Sequence, residues 1–235
     1  SLTAVGFFAD RLQGGLQRDA LQLLGGDFVV ASDHATPDAI VERARALGLA
    51  MVRTASFPTM ARADDAQGGA SRLVAFKSVT PGYPLRGSVS VADAANAPGQ
   101  PTREIPAPGE VWVDASLLDA LGLKLGDPLL LGDTSLRIAR IITLEPDRGA
   151  GFMSFSPRVM VNDAAVAATG LVQPASRVTY RLVVAGAAAP VRQFQAFVDA
   201  QLQQPGLRGM RVESLDSGRT DMKQTLERAQ NFLSL

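Results

Sequence analysis

The sequence predicts an α+β fold in which an open β-sheet is covered by helices on one face and carries a small β-rich insertion. Residues 27–80 follow the order β-α-β-β, and residues 176–215 follow the order β-α-β. Residues 85–170, which lie between them, consist of strand-like runs joined by short helices. This order favours two layers, with the helices packed on one side of the sheet. The middle segment then forms a smaller β domain inserted in a loop of the first.

Each end of the chain has the pattern of an amphipathic helix. In residues 2–24 apolar side chains recur at steps of three and four, as do those of residues 216–235. The two apolar stripes are Val5, Phe8, Leu12, Leu16, Ala20 and Leu23, and Met222, Leu226, Ala229 and Leu233. No stop signal follows Leu233. Either the second helix packs on the core, or both helices are stalks that continue into flanking segments.

The stretch LLGGDFVVAS, residues 23–32, places two glycines between the first helix and a strand. Phosphate-binding loops run from a strand into a helix N-terminus, whereas this loop follows a helix C-terminus, where carbonyl groups repel phosphate. Nucleotide cyclases carry a glutamate after GGD, and this chain has Phe28 at that place. A glycine of the pair Gly25–Gly26 is therefore predicted to end the helix, which it can do in the left-handed conformation.

The outer segments have clear element boundaries. One helix is predicted with Thr36 as its cap, Pro37 in its first turn and Gly48 at its end. The strand that follows it is interrupted by Pro58. The other predicted elements of the outer segments are strands at 27–31, 50–63, 176–185 and 209–215, a strand beginning at 71, and a helix at 189–204.

The middle segment is predicted to be mostly strand, after an irregular stretch at 80–109 that contains a short strand at 87–91. Alternating apolar side chains and turn residues place its remaining elements. These are strands at 110–113, 128–132, 135–144 and 157–162, and short helices at 115–121 and 163–170.

Composition excludes several classes of function. The 235 residues are 46% hydrophobic and 20% charged, and 23 Lys+Arg balance 23 Asp+Glu, so the basic excess typical of nucleic-acid binders is absent. The chain has no cysteine, which excludes thiolate catalysis and disulfides, and a single histidine, His34, which excludes a multi-histidine metal site. No apolar run reaches the ~18 residues of a membrane span. The sequence predicts no cofactor and no metal.

The residues that could support catalysis favour structural roles. Ser32, Asp33 and His34 are neighbours in sequence, whereas the members of a catalytic triad converge from separate segments. No nucleophile elbow of the G-x-S-x-G type is present. The pair Asp64–Asp65 reads as a turn. His34 is therefore predicted to lie in a surface loop, and the chain is predicted not to be an enzyme.

An acidic cluster follows the strand at 135–144. Glu145 and Asp147, with Asp133 nearby in sequence, could bind a hard cation, but they lack the spacing of a calcium loop. Arg148 and Arg158 are close in sequence and available as partners. The prediction is a salt-bridged loop.

Two apolar features are candidate contacts with a partner or a hydrophobic cargo. The loop FMSFSP places Phe152, Met153 and Phe155 between charged residues, and apolar side chains on a loop often mark a binding surface. Burial against the neighbouring subdomain is the alternative interpretation. Trp112 alternates with Val111 and Val113 in a strand, which favours packing in the core or between subdomains over a role as a ligand platform.

Several stretches resemble the first periplasmic domain of the YbbP-type ABC transporter permeases, within the MacB/FtsX-like permease superfamily. The resemblance covers nearly the whole chain, and TLEPDRG and ATGLVQPASRVTYRL are its most specific phrases. Other matching stretches are RDALQLLGGDFVV, RLVAFKSVTPGYPLRG, PAPGEVWVDASLLDALGLKLGDPLLLGD and LERAQNFLSL.

The resemblance implies a two-part layout: a porter-like α/β sandwich subdomain at 1–84 and 171–235, with two terminal stalk helices, and an inserted β-rich, sabre-like subdomain at 85–170. It also implies a periplasmic domain of an inner-membrane protein, with transmembrane helices flanking both stalks. The family works with a cytoplasmic ATPase subunit similar to YbbA and is associated with a periplasmic esterase similar to TesA. The expected function is non-catalytic: ATP-driven extraction or export of hydrophobic, lipid-like molecules. No catalytic residues carry over.

Two other functions remain open at this stage. One is a stand-alone periplasmic lipid-processing enzyme, in which His34 and Ser32 would be required for ester hydrolysis. The other is a scaffold that only recruits the esterase.

Overall fold

The computed structural model describes residues 20–149 and 155–214, together with Val5, Gly6, Ala9, Arg11, Gly15 and Leu16. The elements of the N-terminal part are β1 (Phe28–Ser32), α1 (Asp38–Ala46), β2 (Ala50–Arg62), β3 (Ser71–Val79), β4 (Val89–Ala92), β5 (Gln100–Thr102), β6 (Glu110–Asp114) and α2 (Ala115–Leu121). Those of the C-terminal part are β7 (Pro128–Leu131), β8 (Thr134–Leu144), β9 (Arg158–Asn162), α3 (Val166–Thr169), β10 (Thr179–Ala185), α4 (Ala188–Leu202) and β11 (Met210–Glu213).

Most predicted elements form close to their predicted places, with three differences. Strand β2 runs without a break through Pro58, so the predicted interruption there is wrong. Pro58 is tolerated because only β3 pairs with β2 at this point, since β10 pairs up to Ser56 and β7 from Ala61. Helix α1 begins at Asp38, and no side chain caps it, so the prediction of Thr36 as its cap is wrong. Pro37 occupies the cap position because its fixed backbone angle suits the entry to a helix. Strand β5 was not predicted, since its three residues, QPT, carry no apolar alternation.

All the strands in the described part of the chain belong to one sheet, in the order β11-β1-β10-β2-β3-β9-β6-β8-β4-β5, with β7 pairing both β2 and β8. In the outer part of this order β1 pairs β10 and β11, and β10 pairs β2, all antiparallel. Two parallel pairs, β3 with β9 and β6 with β8, lie in the part built largely from the middle segment.

Helices α1 and α4 cover one face of the outer part of the sheet. Alternate residues of a strand point to opposite faces, so Phe28 and Val30 of β1 face the helices while Val29 faces away. The rings of Phe28 and Phe194 meet edge to face, with centroids 5.9 Å apart. This core matches the predicted sheet with helices on one face.

The middle segment closes its part of the sheet into a ring. Strands β2, β3, β9, β6, β8 and β7 pair in that order, and β7 returns to β2 at Ala61 and Arg62. The apolar interior of the ring includes the stacked rings of Phe57 and Phe76, and α2 contributes Leu117 and Leu121 to the same core. Because β2 and β3 border this ring and also extend the outer sheet, the predicted boundary at 84/85 stays a prediction.

A third core lies on the face of the outer sheet that the helices leave uncovered. It joins Val29 and Val183 of the outer strands to Trp112 and Met160 of the middle segment. The residues described in the first predicted stalk, including 20–24, have helical backbone. The rest of that helix and all of the helix predicted at 216–235 lie outside the described residues, so the stalks stay predictions. Among the helices that are described, none is long and apolar enough to cross a bilayer.

Candidate functional site: a buried ion network at the end of the first helix

A network of buried charged side chains lies where the two parts of the sheet meet. Its centre is Lys77 of β3, whose side chain is 5% exposed. The ammonium group donates hydrogen bonds to Oε2 of Glu145 at 2.8 Å and to Oδ2 of Asp147 at 2.9 Å, both in the segment after β8. It also donates to the hydroxyl of Tyr83 at 2.7 Å. All three donors of this lysine are therefore used within the protein.

Glu145 is held from a second side by Arg158, the first residue of β9. Arg158 Nε donates to Oε1 of Glu145 at 2.8 Å, and its Nη1 donates to the carbonyl of Ala75 at 3.2 Å. The Glu145 side chain is fully buried. Burial by itself raises the pKa of this carboxyl, but the nearby charges of Lys77 and Arg158 outweigh burial and lower the pKa to about 2. Glu145 is thus an anion held between two cations.

Tyr83 adds a neutral hydroxyl to the network. Its hydroxyl donates to Oδ1 of Asp147 at 2.6 Å. Burial, and then the negative charges of Asp147 and Glu145, raise the pKa of the Tyr83 phenol well above its ordinary value. The phenol therefore remains a hydrogen-bond donor over the physiological range of pH.

Arg148 extends the network to the end of β6. Its Nη2 donates to Oδ2 of Asp114 at 2.8 Å and to the carbonyl of Ser156 at 2.9 Å. The backbone N–H of Arg158 donates to the same Asp114 oxygen at 2.8 Å. Burial lowers the pKa of Arg148, but the hydrogen bond and the charge of Asp114 raise it by more. The cations Lys77, Arg148 and Arg158 are balanced by the anions Asp114, Glu145 and Asp147.

The network lies close to Gly25, which follows the helix at residues 20–24; this helix precedes β1 and is called the first helix below. The N–H of Gly25 donates to the carbonyl of Gln22, and its φ of +72° is in the left-handed region, as predicted for a helix end. A Cβ added at Gly25 would lie 3.3 Å from Asp147. A side chain at this position would therefore press on the carboxylate that binds Lys77.

A second set of contacts fixes the same turn to the sheet. The carbonyl of Gly25 accepts hydrogen bonds from the backbone N–H groups of Leu85 and Arg86 at 3.0 and 3.1 Å. The Arg86 guanidinium binds both carboxylate oxygens of Asp27, at 3.0 and 2.9 Å. Asp27 also accepts from the N–H of Gly186 at 2.9 Å. These hydrogen bonds restrain the backbone between residue 24 and strand β1.

The predicted salt-bridged loop is confirmed in its main point, and its partners differ in part. Arg158 pairs with Glu145, as predicted, whereas Arg148 pairs with Asp114. Asp133 makes no described contact with this network. Lys77 was missed as the central cation. The available signal was a lysine inside an otherwise apolar strand, since a buried lysine requires a partner.

The structure favours neither metal binding nor nucleophilic catalysis in the described residues. No group of three or more acidic or histidine side chains is arranged to hold a metal ion among them. Ser32 Oγ and Asp33 Oδ1 both contact the same ring nitrogen of His34, Nδ1, at 3.0 and 2.8 Å. A catalytic triad instead engages the two ring nitrogens separately. The His34 side chain is 44% exposed, in agreement with a surface loop.

The candidate contact residues lie in different environments. Trp112 is 2% exposed, and the Arg140 guanidinium lies over its ring, 5.5 Å from the centroid, so this indole is part of the third core. Phe155 is 90% exposed, as is expected of a binding residue on a loop. Phe152 and Met153 lie outside the described residues. Contact of these residues with a partner or cargo stays a prediction, and the burial of Trp112 does not favour it.

The sequence matches the ABC transporter permease YbbP of Escherichia coli (strain K12) with 32% identity over 232 residues. The chain is homologous to part of this ABC transporter permease. The match covers 99% of the chain and 27% of the permease, so the chain spans about a quarter of its relative's length. No family model matches the sequence.

A solved structure of a periplasmic region shows the same fold. The periplasmic region of MacB from Actinobacillus actinomycetemcomitans aligns with a TM-score of 0.52 and 10% identity, covering 88% of this chain and 95% of that one. The extracellular domain of the ABC-type transporter YknZ from Gram-positive bacteria aligns with a TM-score of 0.47 and 11% identity, covering 80% of this chain and all of that one. The α+β fold class and the resemblance to the YbbP-type permeases, both predicted from sequence, are confirmed.

Proposed function

We propose that this chain is a non-catalytic periplasmic domain of an inner-membrane ABC transporter permease, and that it transmits movement from the membrane side to the sheet. The observation that carries the proposal is the fixed joint at Gly25. There the carbonyl of Gly25 accepts hydrogen bonds from Leu85 and Arg86, and a Cβ added at Gly25 would lie only 3.3 Å from Asp147. A joint with so few free torsions passes a helix displacement on as a rigid-body motion.

ATP hydrolysis belongs, in this proposal, to a separate cytoplasmic subunit similar to YbbA. The cargo is hydrophobic or lipid-like, and a periplasmic esterase similar to TesA receives it. Two observations support this part: the resemblance to YbbP-type permeases, and the exposure of Phe155 beside the apolar loop. An apolar ring exposed to water often marks a site at which a hydrophobic molecule or a partner protein binds.

The test is a flexible insertion in the full-length permease with its ATPase. A Gly-Ser-Gly linker between Leu24 and Gly25 is expected to abolish transport, because the helix can then move without moving the sheet. ATP binding is expected to be retained. The same linker between Gln67 and Gly68 is the control. It lies in the turn between β2 and β3, where a Cβ added at Gly68 would meet no atom within 4 Å. Unchanged transport with the first insertion contradicts the proposal.

A further inference from the structure

A small pocket of about 100 Å³ lies beside the ion network, against the end of the first helix. Leu23 and Leu24 form its apolar wall together with Val183 of β10. Its charged wall consists of four cations and two carboxylates, namely Lys77, Arg148, Arg158, Arg181, Asp147 and Glu213. We call this space the helix-end pocket.

When the carboxylates of the ion network are counted, Arg181 is the cation of the helix-end pocket that is least fully neutralised. Lys77, Arg148 and Arg158 are balanced by the three carboxylates of the network. Glu213, in contrast, is shared by two guanidinium groups, since Oε1 lies 3.4 Å from Arg181 and 3.5 Å from Arg211. Both distances are long for charge-assisted hydrogen bonds. Arg181 therefore retains donor capacity on the pocket side.

One donor of another arginine in the pocket wall has no partner among the described residues. Nε of Arg148 is buried and makes no hydrogen bond within the part of the chain that the structure describes. A buried, unsatisfied donor is costly and requires an explanation. The strand β2 places Ser56 opposite Lys77 and Thr54 opposite Arg181, and both also line the pocket. Two arginines and two hydroxyl-bearing residues thus line one small space.

We propose that the helix-end pocket binds a single oxyanion group, a carboxylate or a phosphate. The volume equals that of roughly three water molecules in the liquid, which suits such a group and no large ligand. Guanidinium groups match the geometry of carboxylate and phosphate oxygens. The group belongs either to a free anion or to the head of an amphiphile, whose alkyl chain would lie along Leu23, a residue 67% exposed.

The proposal is independent of transport, because it concerns binding by the 235-residue chain alone. The experiment titrates the ¹⁵N-labelled chain with acetate, inorganic phosphate, hexanoate and hexanol, and follows the arginine Nε–H and backbone amide signals. Acetate, phosphate or hexanoate is expected to shift the signals of Arg148 and Arg181 in a saturable way. Hexanol is expected to leave them unchanged. Hexanoate binding at least tenfold tighter than acetate assigns the site to an amphiphile head, and equal binding assigns it to a free anion.

Two variants with opposite expected effects on anion affinity distinguish a loss of binding from a loss of folding. Arg181→Gln is expected to weaken binding at least tenfold, whereas Glu213→Gln is expected to tighten it severalfold, because it removes the competing carboxylate. Arg137→Gln is the matched control, since this exposed arginine pairs with Glu110 away from the pocket. Absence of saturable shifts with every anion overturns the proposal. So do equal affinities of the Arg181 and Arg137 variants, and so does a response to hexanol at the same signals.

Discussion

The carboxylate of Asp147 lies against the backbone of Gly25, at the point where the first helix ends. The nearest approach to a Cβ at Gly25 is 3.3 Å, from both the Cβ and Oδ2 of Asp147. The same Oδ2 accepts a hydrogen bond from Lys77 at 2.9 Å. The helix end, the segment after β8 and strand β3 therefore share one point of contact, and a displacement of any of them is expected to disturb the other two.

A pair of glycine substitutions isolates this contact. Gly25 and Gly48 have nearly the same φ, +72° and +71°, but no atom lies within 4 Å of a Cβ added at Gly48. Gly48→Ala is expected to lower the free energy of unfolding by about 1 kcal/mol, the cost of a left-handed alanine. Gly25→Ala is expected to cost about 2–3 kcal/mol, because the methyl group also displaces Asp147. Urea unfolding measures both, and equal losses would show that the contact with Asp147 contributes nothing.

Removal of the central cation is expected to be strongly destabilising. Lys77→Met leaves Glu145 and Asp147 buried with one cation fewer, and breaking a buried ion pair from one side costs about 3–5 kcal/mol. The matched control is Lys124→Met, which changes an exposed lysine and should stay within about 0.5 kcal/mol of the wild type. Both are measured by chemical denaturation at neutral pH. A loss below about 1 kcal/mol for Lys77→Met would contradict a structural role for the network.

The network also predicts how stability depends on pH. The pKa of Glu145 is about 2 in the folded chain and about 4.3 when unfolded, so its stabilising contribution is complete above pH ~4.3 and is lost as the pH falls towards ~2. The contribution is about 3 kcal/mol. The stability advantage of the wild type over Glu145→Gln is therefore expected to shrink over this window.

The control for this titration is Glu42→Gln, which changes an exposed carboxylate on helix α1. Its difference in free energy of unfolding from the wild type should be small, because its ion pair with Arg45 lies at the surface. Unfolding curves recorded at several pH values give the free energy of unfolding of the wild type and of both variants. A constant difference between the wild type and Glu145→Gln would show that this carboxyl is not held by Lys77 and Arg158.

Trp112 and Phe155 are expected to respond in opposite ways. Trp112→Ala should lower the free energy of unfolding by about 3–5 kcal/mol, because it empties a site in the third core. Phe155→Ala should change it by less than about 0.5 kcal/mol, because the ring is exposed. In the full-length permease, Phe155→Ala is expected to reduce transport or esterase recruitment. Normal transport and recruitment would remove Phe155 from the candidate contacts.

Local features of the fold could be predicted from the sequence, because they depend on neighbours along the chain. Gly25 ends its helix in the predicted conformation, and β8 covers nearly the predicted range. The acidic segment after β8 also carried its own clue, since Arg158 comes at the start of the next strand, β9. Such signals are contained in short stretches of sequence.

The centre of the network could not be predicted, because its members come together only through strand pairing. Lys77 lies in β3, whereas Glu145 and Asp147 follow the end of β8. The sequence around Lys77 does not indicate that these residues are its partners. The same holds for the ring of strands. Its closure depends on the pairing of β7 with the last two residues of β2, Ala61 and Arg62.

Strand β2 and its neighbour β3 serve both parts of the sheet, and this limits how the chain can be divided experimentally. Excision of residues 85–170 would take β9 and β7 away and leave the unpaired edge of β3 open to solvent. Bare edges of this kind recruit strands from other molecules. We expect the shortened chain to self-associate, and the intact one to melt in a single calorimetric peak.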